Sequence, residues 1–114
     1  LKTFDILTSQ INNSLIDSCN PNNTIIAYEP IWAIGSGILP TLEEIKQVIE
    51  HIHGTLKIRF NSYHENNFRI LYGGSVKPSN SSEILFSNFI DGVLVGGSSV
   101  SINDLGKIIN FKNN

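Results

Sequence analysis

The 114-residue sequence lacks several features that would point to particular classes of protein. Cys19 is its single cysteine, so an internal disulfide is excluded and a reducing compartment is the default expectation. The net charge of −2 gives no electrostatic basis for binding nucleic acid or an anionic membrane surface. No apolar run approaches the ~20 residues of a membrane span. The overall composition, with 40% hydrophobic and 16% charged residues, is typical of a soluble globular domain.

Methionine is absent as well, and the sequence begins at Leu1. A translation product that keeps its first residue starts with methionine, so we expect this sequence to be a fragment of a longer protein. No low-complexity linker divides it. We therefore expect residues 1–114 to form one piece of a single domain.

The hydrophobic spacing predicts a first helix followed by three strand–helix repeats. Apolar residues at helical spacing predict an amphipathic helix over residues 3–17, and short apolar runs predict strands at 24–28, 68–72 and 91–95. Strands that alternate with helices pair in parallel through right-handed crossovers. These strands are apolar on both faces, as expected when helices cover the sheet.

Each helix after a strand is preceded by a hydroxyl or amide residue three positions before an acidic residue, the pattern of a capping box. The pairs are Thr41 with Glu44, Asn80 with Glu83, and Ser101 with Asp104. We therefore expect helices that begin just after the first residue of each pair.

Three strands are too few to close a barrel, and a parallel sheet of this size leaves both of its edges unpaired. A complete (β/α)₈ TIM barrel has roughly 250 residues. The sequence therefore predicts an α/β fold, namely the last three strand–helix units of a TIM barrel together with the preceding helix. In such folds, ligands bind at the C-terminal ends of the strands.

A carboxylate, Glu29, ends the first predicted strand, in the stretch AYEPIWAIGSG. A buried charge is costly without a partner or a task. Pro30 stiffens the chain after it, Trp32 and Ile34 are more apolar than an ordinary surface loop, and Gly35 permits a tight turn whose N–H approaches an anion. We interpret Glu29 as a reactive group under an apolar lid. The alternative is a structural carboxylate that pairs with a lysine.

Glycine pairs follow the other two predicted strands, Gly73-Gly74 before Ser75 and Gly96-Gly97 at the third strand. Loops of this kind after the last strands of a barrel hold phosphate with backbone N–H groups and a helix N-terminus. Either pair alone would be compatible with a simple tight turn. Two pairs after adjacent strands favour a phosphate site.

Three stretches, AYEPIWAIGSG, ILYGGSV and DGVLVGGSS, resemble the signature loops in the C-terminal half of triosephosphate isomerase. Their spacing fits as well, so the resemblance covers essentially the whole chain. It implies an enzyme of glycolysis and gluconeogenesis that interconverts dihydroxyacetone phosphate and glyceraldehyde 3-phosphate. It also implies a cytoplasmic homodimer that needs no metal or organic cofactor and has no nucleic-acid or membrane partner.

By this resemblance Glu29 is the general base, and Pro30 and Trp32 form the rigid start of the lid. Ile34 and Leu94 are expected to clamp over Glu29, where desolvation would make the carboxylate a stronger base. The implied phosphate ligands are backbone N–H groups of Gly35, Gly96 and Gly97, together with Ser75.

The end of the lid departs from the commonest version of the family, which has Lys-Thr-Ala where this chain has Ile38-Leu39-Pro40. The resemblance implies a latch in which a backbone N–H of the lid donates to the Tyr72 hydroxyl, but Pro40 has no N–H to donate. Ser75 with the Gly37 N–H is then expected to be the remaining latch.

The electrophilic histidine of the family and its asparagine and lysine belong to the N-terminal half. His51, His53 and His64 match none of these contexts, and we expect His51 and His53 to be surface residues of a helix. We therefore expect the fragment alone to be inactive. Two other hypotheses stay open: a phosphate-binding half-barrel without turnover, and a different phosphate-binding barrel enzyme.

Overall fold

A computed structural model of the chain describes residues 2–33, 38–60 and 67–111. Within these ranges the elements are α1 (Lys2–Ser14), β1 (Ile25–Tyr28), α2 (Leu42–Arg59), β2 (Arg69–Gly73), α3 (Pro78–Phe86), β3 (Gly92–Leu94) and α4 (Ile102–Ile109). Short 3₁₀ turns follow β1 and β3, at Ile31–Ala33 and Gly97–Val100. The predicted order, one helix and then three strand–helix repeats, is confirmed.

The strands form one parallel sheet in the order β1-β2-β3. Because each right-handed crossover steps to the next strand in the same direction, the helices all fall on one side of the sheet. The second face is open, with Ile25 56% exposed and Leu94 42% exposed. In a barrel this face would line the interior.

One hydrophobic core lies between the helices and the covered face of the sheet. Its residues from α2 recur at helical spacing and are Ile45, Val48, Ile49, Ile52 and Leu56. The side chains of Ile70 and Tyr72 in β2 point from the sheet into this core, and both are fully buried. None of the helices in the described ranges is long and apolar enough to cross a membrane.

Two of the three predicted helix starts are confirmed. The Thr41 hydroxyl accepts the Glu44 N–H at 3.1 Å, and the Glu44 carboxylate accepts the Thr41 N–H at 3.5 Å, which completes the capping box of α2. The Ser101 hydroxyl accepts the Asp104 N–H at the start of α4. Each contact satisfies backbone donors that have no partner inside the helix.

The predicted start of α3 is wrong by one turn, because Lys77 rather than Asn80 precedes the helix. Pro78 takes the first helical position, where its fixed φ fits and its missing N–H costs nothing. Asn80 then lies in the first turn, where its Oδ1 accepts the Lys77 N–H at 2.8 Å. Its Nδ2 donates to the Ser75 carbonyl at 2.7 Å, which ties α3 to the loop after β2.

The C-terminal end of α1 is capped by a side chain from α2. The Arg59 guanidinium donates to the carbonyls of Ile11 at 3.1 Å and Asn12 at 2.8 Å, and it also contacts the Leu15 carbonyl. Ile11 and Asn12 lie in the last turn of α1, where carbonyls run short of partners inside the helix, and Leu15 directly follows its end. The Arg59 ion pair with Asp17 adds little, because the Asp17 side chain is fully exposed.

Replacing Arg59 with methionine is expected to lower the free energy of unfolding by about 1.5–3 kcal/mol, because charged hydrogen bonds to several carbonyls are lost. Urea denaturation followed by circular dichroism measures this change. Lys46→Met is the matched control, an exposed cation on the same helix that should change stability by less than about 0.5 kcal/mol. Equal effects of the two substitutions would show that Arg59 does not hold α1 in place.

Candidate active site at the C-terminal edge of the sheet

Glu29 directly follows β1, and the parallel register places it beside the end of β2. Tyr28 pairs with Tyr72, so the next position opposite Glu29 is Gly73. A Cβ on Gly73 would lie 2.8 Å from Cγ and 3.3 Å from Cδ of Glu29. The side chain of Glu29 therefore lies across the backbone of Gly73, and it occupies this place only because Gly73 has no side chain.

Leu94, on the neighbouring strand β3, lies close to the same missing Cβ of Gly73. It pairs with Gly73 in the sheet, and its Cβ is 3.1 Å from the position of that missing Cβ. Glu29 and Leu94 thus come together over the end of β2, and their role as parts of a clamp stays a prediction. Glu29 is exposed in this structure, and Ile34, the second expected part of the clamp, lies outside the described residues.

The chain after Glu29 forms a short, pinned turn. Pro30 is buried, the Ala33 N–H donates to the Pro30 carbonyl at 2.9 Å, and Trp32 is 49% exposed on the outside of this turn. The buried Ser75 hydroxyl donates to the Ala33 carbonyl at 2.7 Å. The loop after β2 therefore holds the turn Ile31–Ala33 in place. Sequence analysis missed the role of Ala33, for which there is no signal in the sequence.

This contact changes the expected role of Ser75. Its hydroxyl hydrogen is committed to Ala33, so the hydroxyl points into the protein rather than toward an incoming anion. A latch between Ser75 and Gly37 stays a prediction, because Gly37 lies outside the described residues.

Gly96 and Gly97 form the loop that follows β3, two and three residues after Leu94. Both are exposed, and a Cβ on either would meet no atom within 4 Å. Gly97 opens a 3₁₀ turn, whose first N–H groups have no partner within the turn. The loop thus presents bare backbone to solvent at the same edge of the sheet as Glu29. Gly35, the third expected glycine, lies outside the described residues.

Gly74 has a packing role that the sequence analysis did not assign. A Cβ at this position would overlap the Tyr72 hydroxyl and lie 2.7 Å from Cζ of the ring. Tyr72 is fully buried on the helix-covered face, and burial raises the pKa of its phenol, with a smaller contribution from Tyr28. The two glycines at the end of β2 therefore make room for different neighbours, Gly73 for the Glu29 side chain and Gly74 for the Tyr72 ring.

The expectation that His51 and His53 of α2 lie at the surface is wrong, because both are half-buried. The His51 ring stacks on Phe4 with centroids 4.6 Å apart, and its Nε2 is 2.8 Å from the Thr8 hydroxyl and 3.1 Å from the Phe4 carbonyl. The packing of α1 against α2 covers this position. His51 thus joins two helices and does not reach the edge where Glu29 lies. His64 lies outside the described residues.

His53 lies toward the N-terminal ends of the strands, away from Glu29. It lines a hollow of about 430 Å³ together with Glu50, Asn88 and Asp91. Partial burial lowers the pKa of His53 below its ordinary value of 6.5; nearby Asp91 opposes this shift and Lys57 adds to it. The described part of the chain contains no group of three His, Cys, Asp or Glu residues that could hold a metal ion.

The lowered pKa of His53 makes stability depend on pH. Below its ordinary pKa the unfolded chain binds more protons than the folded chain, so we expect the free energy of unfolding to fall as the pH drops from 7.5 to 5.5. Urea denaturation at each pH measures this, and His53→Gln should reduce the slope. The same slope in both proteins would exclude His53 as its origin.

Comparison with known proteins shows which family the chain belongs to. The sequence profile described as Triosephosphate isomerase matches residues 1–112. Proteins named triosephosphate isomerase from Jannaschia sp. (strain CCS1) and Ruegeria pomeroyi are 45% and 42% identical over 107 and 108 residues. These alignments cover 94% and 95% of this chain but only 43% of each relative.

A solved structure gives the same result for the fold. The crystal structure of triosephosphate isomerase from Bartonella henselae matches with a TM-score of 0.82 and 37% identity, over 97% of this chain and 44% of that chain. The chain thus spans less than half the length of the relatives it matches, and its predicted fold class, part of a TIM barrel, is confirmed. With its strands, its carboxylate and its glycine loops in these places, the chain belongs to the triosephosphate isomerase family.

Proposed function

We propose that this chain supplies the base, the lid and the phosphate loops of an enzyme that interconverts dihydroxyacetone phosphate and D-glyceraldehyde 3-phosphate. The observation that carries the proposal is the position of Glu29, beside Leu94 and across Gly73. Gly96 and Gly97 follow on the same edge of the sheet. A carboxylate and an open backbone loop at one edge suit a small substrate with an acidic C–H at one end and a phosphate at the other.

In the proposed reaction, the Glu29 carboxylate removes a proton from the carbon next to the substrate carbonyl. The enediolate that forms takes a proton back at the neighbouring carbon, and the hydroxyl proton passes from one oxygen to the other, so the carbonyl moves by one position and no atoms are gained or lost. The Glu29 carboxylate is exposed in this structure, so a substrate can reach it. Closure of the lid, with Trp32 in its stem and Ile34 and Leu94 as the clamp, would then exclude water from it.

For the phosphate, we propose backbone N–H groups of Gly35, Gly96 and Gly97 as ligands. We propose that Ser75 contributes through its main chain, because its hydroxyl donates to the Ala33 carbonyl. Backbone donors at a turn suit an anion since they carry partial positive charge and need no counter-charge nearby.

The open face of the sheet supports the further proposal that residues 1–114 are the C-terminal portion of one barrel domain. Parallel sheets of α/β proteins have both faces covered, but here Ile25 and Leu94 lie exposed on the second face. A groove of about 290 Å³ runs between α1 and the free edge of β1, lined by Leu7, Ile11, Ile26 and Ala27 among others. A further strand paired with β1 would fill this groove.

The missing portion also matters for the chemistry. Neither histidine of α2 reaches the edge where Glu29 lies, so the described residues bring no imidazole to the charge that develops on the enediolate oxygen. Stabilisation of such charge is usually a large part of an enzyme's effect. We therefore propose that the chain is inactive without the preceding half. Family membership is what supports the further proposals of a homodimer, a cytoplasmic location and no need for a metal or organic cofactor.

A chimeric barrel tests the proposed activity. The first part of the Jannaschia relative, up to the residue where its alignment with this chain begins, is fused to residues 1–114. We expect the chimera to convert glyceraldehyde 3-phosphate to dihydroxyacetone phosphate in a coupled dehydrogenase assay, and we expect residues 1–114 alone to show no turnover.

Folding of the chimera is checked by circular dichroism and by a cooperative thermal transition. A folded chimera that binds inorganic phosphate but shows no turnover would favour the half-barrel without catalysis. A folded chimera that does neither would contradict both readings.

A further inference from the structure

The carbonyl oxygen of Gly96 accepts two hydrogen bonds from one residue, Ser99. The Ser99 hydroxyl donates to it at 2.6 Å, and the Ser99 N–H donates to it at 2.9 Å. Ser99 lies in the 3₁₀ turn Gly97–Val100, directly after the loop that follows β3. The N–H bond belongs to any turn of this kind, whereas the hydroxyl bond needs a short side chain with a donor.

The direction of the Gly96 carbonyl fixes the direction of the next N–H. The Gly96 carbonyl and the Gly97 N–H belong to one planar trans peptide unit, in which the two groups point in opposite directions. Because the carbonyl is held toward Ser99, inside the turn, the Gly97 N–H points out of the turn. A rotation of this peptide unit would present a carbonyl oxygen in place of the N–H, and a carbonyl oxygen repels an anion.

Side-chain packing does not hold this peptide unit. Gly96 and Gly97 are both exposed, and a Cβ on either would meet no atom within 4 Å. Glycine also has the widest choice of backbone angles, so a peptide unit between two glycines rotates at little steric cost. Within the described residues, the two hydrogen bonds from Ser99 are therefore the contacts that hold the Gly96 carbonyl.

We propose that Ser99 is a positioning residue for the phosphate group of the substrate. Its hydroxyl keeps the peptide unit between Gly96 and Gly97 in the orientation that turns the Gly97 N–H outward, where a phosphate oxygen can accept it. Ser99 acts through this peptide unit and not by touching the substrate. The inference rests on the proposed function, in which Gly97 is a phosphate ligand, and it adds the residue that fixes the direction of this ligand.

The substitution Ser99→Ala in the chimera removes the hydroxyl bond and keeps the backbone bond. We expect KM for glyceraldehyde 3-phosphate to rise about two- to tenfold, the equivalent of one hydrogen bond. The dissociation constant of inorganic phosphate, measured by NMR titration, should rise by the same factor. The kcat should stay within about twofold of wild type, because the base is untouched. Ser99→Thr keeps a hydroxyl and should restore both constants.

Ser98→Ala is the matched control, because it removes a hydroxyl from the neighbouring residue of the same turn. Both constants should then stay within about twofold of wild type. If Ser99→Ala changes them no more than Ser98→Ala does, or if Ser99→Thr does not restore them, the role of Ser99 is wrong while the proposed function stands. A folded wild-type chimera that neither turns over nor binds phosphate would contradict the proposed function and this inference together.

Discussion

Replacement of Glu29 with glutamine is expected to lower kcat of the completed barrel by about 10²–10⁴-fold, the usual contribution of a general base. The amide has nearly the same shape as the carboxylate, so it should still fit over Gly73 beside Leu94. It cannot accept the substrate proton. The chimera described above and the coupled assay measure the loss, and KM for the triose phosphate should change by only a few fold because the phosphate loops are untouched.

Glu50→Gln is the control for this substitution, because Glu50 is an exposed carboxylate of α2 that lines the hollow with His53 and Asp91, toward the N-terminal ends of the strands. Its kcat should stay within about twofold of wild type. If Glu29→Gln retains isomerisation within a few fold of wild type, Glu29 is not the base. The proposed mechanism would then be wrong even if the family assignment stands.

Replacement of Gly74 with alanine is expected to destabilise the protein by about 1–3 kcal/mol, or more if the core does not relax. The added methyl would overlap the hydroxyl of Tyr72 and lie 2.7 Å from Cζ. Because the Tyr72 ring is fully buried beneath α2, it has little room to move away. Chemical denaturation measures the change in the free energy of unfolding.

Gly54→Ala is the matched control, because Gly54 is an exposed glycine within α2 and an added methyl would meet no atom within 4 Å. Alanine should stabilise that helix by about 0.5–1 kcal/mol. The double variant Gly74→Ala with Tyr72→Phe separates the clash from other causes, since it removes the hydroxyl that the methyl would overlap. Adding Gly74→Ala to Tyr72→Phe should then lower the free energy of unfolding by less than adding Gly74→Ala to the wild-type protein. If the loss is unchanged, the clash with Tyr72 is not its source.

That Glu29 and the glycine loops share one edge of the sheet was predictable, because the motifs that carry them are local in the chain. Glu29 is followed at once by Pro30, and each of the other strands ends in a glycine pair. The carboxyl ends of parallel strands meet at one edge of a sheet, so the position of these motifs after three strands was enough to predict a shared site. The separate tasks of Gly73 and Gly74 were not predictable, because the sequence shows two adjacent glycines and not which side chain approaches each.

The errors have physical causes as well. The start of α3 was misplaced because Asn80 and Glu83 match a capping pair, whereas Pro78 sets the helix one turn earlier. His51 was expected at the surface because its helical position gives no hint that Phe4 and Thr8 of α1 pack on it. Contacts of this kind join residues more than forty positions apart, which no local pattern reports.

The sequence by itself determined the elements and their order, because apolar spacing and helix caps such as Thr41 with Glu44 act between residues a turn or less apart. It also determined the family, through three loops whose residues lie next to one another in the chain. Only the tertiary structure decided which face of the sheet the helices cover, that Glu29 lies beside Leu94, and that Ser75 binds the Ala33 carbonyl. These arrangements depend on strand order, register and crossover hand. They form only when segments that are distant in the sequence pack against each other.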